Sequence, residues 1–258
     1  MNNPCWIHKF ELKQDCWVFI PDDKTKIRGK EIKNAIASKW NPPHYYAHLR
    51  RGGHVTALKK HLGNTLFFRT DIEQFFNSVS RTRVTRHLHS LFKDYSLARG
   101  MANESTVIRP NHTPKAYVLP YGFVQSAIIA SLCLYKSALG KYLNKLEGSG
   151  FRVSVYMDDI IVSTSLPLEQ AEAALEELRG KATRSRLELN PTKTIGPVES
   201  ICAFNVTLSQ NNIEISNERI TEFEEELSNT GEQSVIDGIL GYVETISPAQ
   251  AEYLRCKQ

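Results

Sequence analysis

Phe151-Arg152-Val153-Ser154-Val155-Tyr156-Met157-Asp158-Asp159-Ile160-Ile161-Val162 is the stretch on which the reading of this sequence turns. Phe151, Val153 and Val155 alternate with polar residues, the period of a half-buried strand. Ile160-Ile161-Val162 reads as a second strand, and Met157-Asp158-Asp159 joins the two, so the stretch predicts a hairpin with acids at its tip. Adjacent aspartates in a tight turn repel each other, and a divalent cation would neutralise them. Side chains alternate along a strand, so at least one acid points out of the core.

Working outward, residues 66–72 read as a short buried strand that carries Asp71 near its end, just before Phe75-Phe76. If this strand neighbours the hairpin in one sheet, three carboxylates converge. Hard oxygen ligands of that kind suit magnesium or manganese. A pair of such ions is a standard device for nucleotidyl transfer. Taken singly, each aspartate reads equally well as a turn residue or a helix cap.

The remaining pattern predicts an α+β chain with a helical tail. Ser80 can cap a helix through Val84, Leu88, Leu91 and Tyr95. Residues 98–118 read as a long loop, and residues 124–146 as one long helix ended by Gly148. Pro167 opens another helix, acidic at its start and basic at its end. Residues 204–208 and 213–215 flank Gln210-Asn211-Asn212 as a second hairpin, followed by two helices. The first 65 residues read as irregular, punctuated by Pro42-Pro43 and Gly52-Gly53.

Composition narrows the class. The 258 residues are 41% hydrophobic and 23% charged, ordinary for a globular protein. No apolar run reaches the roughly 18 residues of a membrane span, and residues 1–10 lack the apolar stretch of a signal peptide. The five cysteines, at 5, 16, 133, 202 and 256, form no C-x-x-C pair, so a reducing, cytoplasmic setting is expected. The net charge of +4 is mild, but residues 24–60 hold ten lysines and arginines against Glu31 alone. That asymmetry suits a surface facing phosphates and equally a solvated basic face. His44, His48, His54 and His61 fall in the same region, with no cysteine at zinc-ligand spacing.

Four motifs in order resemble the reverse transcriptase family. Thr70-Asp71-Ile72-Glu73-Gln74-Phe75-Phe76 is similar to its first catalytic motif. Leu119-Pro120-Tyr121-Gly122-Phe123-Val124-Gln125-Ser126 resembles the Leu-Pro-Gln-Gly motif that opens the palm helix. Tyr156-Met157-Asp158-Asp159 matches the signature tetrapeptide. Leu187-Glu188-Leu189-Asn190-Pro191-Thr192-Lys193-Thr194 resembles the lysine-bearing motif that follows. The resemblance covers roughly residues 66–250, its hairpin at 204–215 being similar to a primer grip. Two positions depart from the pattern: Tyr121 stands for the usual glutamine, and Ala127 for the usual proline.

The resemblance implies a right-hand polymerase. Residues 1–65 would form fingers, 66–200 a palm of antiparallel sheet and helices, and 201–258 the primer grip and a small helical thumb. It implies an RNA-directed DNA polymerase, with Asp71, Asp158, Asp159 and Lys193 as catalytic residues. Two Mg2+ ions, or Mn2+, would be held by Asp71, Asp158, Asp159 and the Ile72 backbone. Ile72, Gln74, Phe75, Phe76, Tyr121, Gly122 and Gln125 would bind the nucleotide, with the Phe76 ring excluding a ribose 2′-hydroxyl. Arg50, Arg51, Lys59, Lys60, Tyr156 and Met157 would contact nucleic acid. The implied partners are an RNA template, which a dedicated non-coding RNA would supply, deoxynucleotides and the DNA product, with no membrane. The chain resembles compact bacterial retron and phage-defence enzymes, without room for an RNase H, integrase, maturase or endonuclease domain. A polymerase needing little or no template, and a non-catalytic RNA-binding scaffold, are the alternatives.

Overall fold

The computed structural model describes residues 4–257. Met1 to Asn3 and Gln258 lie outside the described residues, so the expectations for the two chain ends extend beyond them. Residues 6–59, which read as irregular in the sequence, are largely regular elements. Strands β1 (Trp6–Lys13) and β2 (Cys16–Pro21) form an antiparallel hairpin, followed by helix α1 (Asp23–Lys39), a single 3-10 turn (Ala47–Leu49) and α2 (Gly53–Lys59). Asp22 caps α1 by accepting from Thr25 N–H at 2.7 Å. Ile32 and Ile36, one turn apart, are its fully buried contacts. Lys24, Lys26, Lys30, Lys33 and Lys39 lie on its exposed side, which is why the helical period was faint in the sequence.

The chain continues through β3 (Leu66–Asp71), α3 (Arg81–Phe92), α4 (Tyr95–Glu104), β4 (Val107–Ile108), β5 (Tyr117–Val118), α5 (Ser126–Tyr135) and α6 (Ala138–Glu147). Then come β6 (Phe151–Tyr156), β7 (Asp159–Thr164), α7 (Leu168–Arg184), β8 (Ile195–Val198), β9 (Ser200–Ala203), β10 (Val206–Ser209) and β11 (Asn212–Ile215). Helices α8 (Asn217–Asn229), α9 (Gln233–Ile246) and α10 (Pro248–Cys256) close it.

Four antiparallel strands in the order β6-β7-β3-β8 form the central sheet, and both its faces are covered. Phe68, Val153, Val155, Ile160 and Val162 pack into a core with Ile32, Ile36, Leu88, Ile129, Leu143 and Leu178. Phe67 and Ile161 point the other way, into a second core with β9–β11 and the C-terminal helices. Helices α1 and α3–α7 thus lie on one face of an antiparallel sheet, and the β9–β11 sheet with the C-terminal helices on the other, the α+β class expected.

Three boundaries differ from the sequence reading. The loop at 98–118 contains most of α4 and the small β4–β5 hairpin. Its buried positions are Ala98, Met101, Ala102 and Asn103, too small and polar to register as an apolar stripe. The long helix is two helices. Ser137 caps α6 by accepting from Gly140 N–H at 3.1 Å, and a side chain on Gly140 would come within 2.1 Å of the Leu134 carbonyl. The C-terminal tail has three helices, the last starting at Pro248 behind the Ser247 cap. Among the described residues, no helix is long and apolar enough to cross a membrane.

Candidate active site

Strand register assembles the acidic cluster. Asp71 ends β3 and Asp159 begins β7, and the two are directly opposed in the antiparallel ladder. Side chains so opposed share one face, with Cβ atoms about 5 Å apart. Asp158 sits in the β6–β7 turn, where its carbonyl accepts from Ile72 N–H at 2.9 Å. Met157 takes the left-handed conformation (φ 59°), which reverses the chain in two residues. Carboxylate oxygens of Asp71, Asp158 and Asp159 lie within 4.8 Å of one another. Three hard oxygen donors at that spacing fit a divalent magnesium-type cation. Ile72 is fully buried, so only its backbone carbonyl could join them.

Lys193 reaches the same cluster, its Nζ donating to Asp71 Oδ2 at 3.0 Å. Asn190, which sequence reasoning passed over, builds the loop that delivers it. Its N–H donates to the Asp71 carbonyl at 2.9 Å, its Oδ1 accepts from Thr192 N–H at 3.0 Å, and its carbonyl accepts from Thr194 Oγ1 at 2.7 Å. Hydrogen bonding to Asp71 holds the Lys193 ammonium above its ordinary pKa.

Burial, with repulsion from Asp158 and Asp71, pushes the Asp159 carboxyl up to about 6. Burial and then Asp71 also raise Asp158. A carboxyl raised on folding binds its proton more tightly in the folded state, so it costs stability as pH rises from about 4 to about 6. Asp159→Asn should therefore melt higher than wild type at pH 7 in chelator, by about 1–2 kcal/mol after discounting for solvent. The advantage should vanish below about pH 4, where wild type is neutral too. Melting curves of both proteins across pH test this, and an equal gap at pH 3.5 and pH 7 would refute it.

Asp71, Asp158, Lys193, Gln74 and Tyr121 line one cleft of about 320 Å³. Its far wall is the β1–β2 hairpin tip, including Lys13, a cation the sequence reading did not single out. The tip is tied down where Asn77 Nδ2 donates to the Asp15 carbonyl at 2.9 Å. Arg109 bridges Gln74 Oε1, at 2.6 Å, and Asp15, at 3.9 Å. Gly122 (φ 94°) lets β2 come close, since a Cβ there would lie 2.3 Å from the Phe19 carbonyl. Phe76, 8% exposed, meets the Tyr121 ring edge-on at 4.6 Å, while Phe75 is wholly core. Burial raises the Tyr121 hydroxyl pKa, with Cys16, Asp158 and Asp71 adding to it. A protonated phenol is therefore available as a donor.

His48 holds the β6–β7 turn that carries Asp158. Its Nδ1 accepts from Met157 N–H at 3.0 Å, and its Nε2 lies 2.8 Å from Ser131 Oγ. Ser131 donates its own proton to the Ala127 carbonyl at 2.8 Å, which assigns the imidazole proton to Nε2. Burial lowers the His48 pKa to about 4, so the ring is neutral at pH 7. His48→Ala leaves Met157 N–H unpaired and should cost about 1–3 kcal/mol of stability. It should also lower kcat about tenfold by loosening the turn. His48→Asn, which restores an acceptor, should recover part of both losses. Wild-type kcat in the alanine variant would contradict this role.

The remaining sequence candidates scatter. Gln125 is 1% exposed and bonds weakly to the Glu104 carbonyl and Ser105 Oγ, both at 3.4 Å, away from the cleft. Its side chain is enclosed and does not line the acidic cleft. Lys60 is turned inward to Glu147, at 2.6 Å, and the Val153 carbonyl, at 2.9 Å. Lys59 bonds the Thr245 carbonyl in α9 at 2.7 Å. Arg50 caps Asn41 and Pro42, and Arg51 is exposed. Tyr156 joins an aromatic wall with His54 and Phe204, at 6.2 and 5.3 Å. The four histidines diverge: His44 pairs Glu147, His48 Ser131, His54 Tyr242 and His61 Ser163. Among the described residues the aspartate triad is the one cluster spaced for a metal.

Comparison with known proteins places this arrangement. The family model "Reverse transcriptase (RNA-dependent DNA polymerase)" matches residues 24–201. The fold is similar to telomerase from Candida albicans, solved with a TWJ fragment of telomeric RNA, at a TM-score of 0.51 and 12% identity. That likeness covers 90% of this chain and 45% of the telomerase chain. A foamy viral protease-reverse transcriptase, solved with double-stranded DNA, aligns at 0.49 and 14% identity over 93% of this chain and 35% of its own. The chain thus spans less than half the length of either. The family match runs unbroken from α1 into β9 and takes in all three aspartates and Lys193, so this chain belongs to the reverse transcriptase family.

Proposed function

We propose that the chain is an RNA-directed DNA polymerase that joins deoxynucleotides at the Asp71–Asp158–Asp159 cluster. The observation that carries this reading is convergence: three carboxylates lie within 4.8 Å of one another, and two of them line one cleft with Lys193, in a chain of this family. Divalent cations, Mg2+ or Mn2+, held by the triad would neutralise triphosphate charge and acidify the primer 3′-hydroxyl. Asp71 and Asp158 supply the principal ligands, and Asp159 supports them. The Lys193 ammonium would stabilise charge on the departing pyrophosphate, with Lys13 in the same cleft from the hairpin tip. The edge of Phe76, braced by Tyr121, fits beneath the incoming sugar. His54, Tyr156, Phe204 and Tyr242 offer the primer strand an aromatic wall.

On this reading residues 1–65 act as fingers, 66–200 as palm, and 201–258 as primer grip and thumb. RNA is the template and DNA the product. The telomerase it resembles in fold was solved with RNA, which supports an RNA partner here. The resemblance to compact retron and phage-defence enzymes supports a role in antiphage defence with a dedicated structured RNA. The chain would work in a reducing cytoplasm, the setting expected for five scattered cysteines with no C-x-x-C pair.

One observation favours a second reading, in which the template matters little. Tyr121 stands at the usual glutamine position and lines the cleft, where its ring can stack on any base. The test is to sequence the DNA made by purified protein from all four deoxynucleotides, with and without RNA. A product complementary to the added RNA supports the first reading. DNA made whether or not RNA is present, with a sequence unrelated to it, supports the second. No product under either condition would defeat both and leave an RNA-binding scaffold.

A further inference from the structure

A second cleft, of about 680 Å³, opens between the start of α3, the α5–α6 junction and the end of α7. It shares no lining residue with the acidic cleft. Arg83, Arg86, Lys136, Arg184 and Arg186 line it, and no carboxylate does. Among the described residues, none of these five cations is in an ion pair. Elsewhere on the molecule Arg28, Arg109, Arg179, Arg219 and Arg255 each meet an acid.

Arg83 is the sharpest case. Its half-buried guanidinium donates to the Ser185 carbonyl at 2.6 Å, a neutral acceptor. Burial lowers its pKa, with Arg86 and Arg186 adding to the fall. His87 beside it is driven to about 4, by burial and then by Arg86, Arg83 and Lys136. Like charges gathered in a partly buried cleft destabilise the fold unless an anion joins them. Ser80 and Ser137, which cap the N-termini of α3 and α6, also line the cleft, alongside the C-terminal ends of α5 and α7, so the excess of positive charge there comes from the side chains.

The lining indicates the anion. Serine and threonine hydroxyls stand among the cations, which is how phosphate oxygens are bound. Apart from the His87 imidazole the cleft has no ring on which a base could stack. We propose that this cleft binds phosphodiester groups of a nucleic-acid strand outside the catalytic cleft, independently of sequence. The inference rests on the reading that the chain handles nucleic acid. It would give template or product a second anchor on the enzyme, on the side of α3 and α7.

The test replaces Arg86, Lys136 and Arg184, all exposed, by glutamine together. Binding of a labelled single-stranded RNA, and of DNA of the same sequence, is measured by anisotropy in chelator over a range of salt. Expected is an affinity about tenfold weaker near physiological salt, with the log–log salt slope reduced by about 2, for RNA and DNA alike. Primer extension at saturating short template should be unchanged. If the triple variant melts below wild type, Lys136→Gln alone is used, with a slope change of about 0.7 expected. Unchanged affinity and slope for both strands would overturn the proposal. So would melting protection by inorganic phosphate that the variant loses while nucleic-acid binding stays intact, which would mark a small-anion site. Salt-sensitive binding lost in the variant of a chain that makes no DNA would defeat the polymerase reading and leave this one standing.

Discussion

Asp158→Asn is expected to lower the rate of deoxynucleotide incorporation by about 10^3-fold or more, since a ligand set of this kind supplies several kcal/mol of charge stabilisation. The same variant should fold at least as well as wild type without divalent metal. Asp158 is raised by burial and by Asp71, so the folded protein already resists its charge. Neutralising it removes repulsion and leaves the Asp158 carbonyl still bonded to Ile72 N–H. The pairing of lost chemistry with kept or improved stability separates a functional acid from a structural one. A structural cap replaced by asparagine would leave activity near wild type. Primer extension and chelator melts on one preparation read both quantities, and retained extension would sink the metal assignment.

The second large effect concerns sugar choice. Phe76→Ala should raise ribonucleotide incorporation relative to deoxynucleotide by about tenfold or more, the scale on which pocket size discriminates substrates. The ring is nearly buried and touches Tyr121 edge-on at 4.6 Å, so it is fixed in place and not free to move aside. Truncating a buried phenylalanine also costs about 3–5 kcal/mol, so total activity is a poor readout. The incorporation ratio is immune to partial unfolding. Phe76→Val, which removes less volume, should shift the ratio less while folding better. If a folded variant keeps the wild-type ratio, Phe76 belongs to the core alone and Tyr121 has nothing to brace.

The centre of this site was legible because it is local. Strand alternation around Tyr156-Met157-Asp158-Asp159 and the short apolar strand ending at Asp71 each fit within a few residues. One assumption, that the strands are neighbours, then brought the acids together, and the β3–β7 register bears it out. What surrounds the acids was not legible, because it depends on distant pairings. His48 meets Met157 across 109 positions, and Asn77 meets Asp15 across 62. Nothing near Lys13 in sequence marks it as part of the cleft, and Asn190, though inside the Lys193 motif, gives no sign in sequence of its bond to the Asp71 backbone. Gln125 is a further case in which the surroundings were not legible: its motif points to a nucleotide, and its side chain is enclosed near α4. Helix α1 was missed because two isoleucines bury it while its lysines dominate the composition. The helix at 124–146 was overextended because apolar residues continue in phase through a break set by Ser137 and Gly140.

What the three aspartates hold decides whether this cluster is a polymerase centre. Crystals of the protein with primer–template, a non-hydrolysable deoxynucleoside triphosphate and Mn2+ would answer by anomalous diffraction. Two manganese peaks in contact with Asp71 and Asp158, both absent from crystals of Asp158→Asn, are the predicted result. Nucleic acid and nucleotide bound with no manganese at the triad, or manganese that persists there in the variant, would contradict the account.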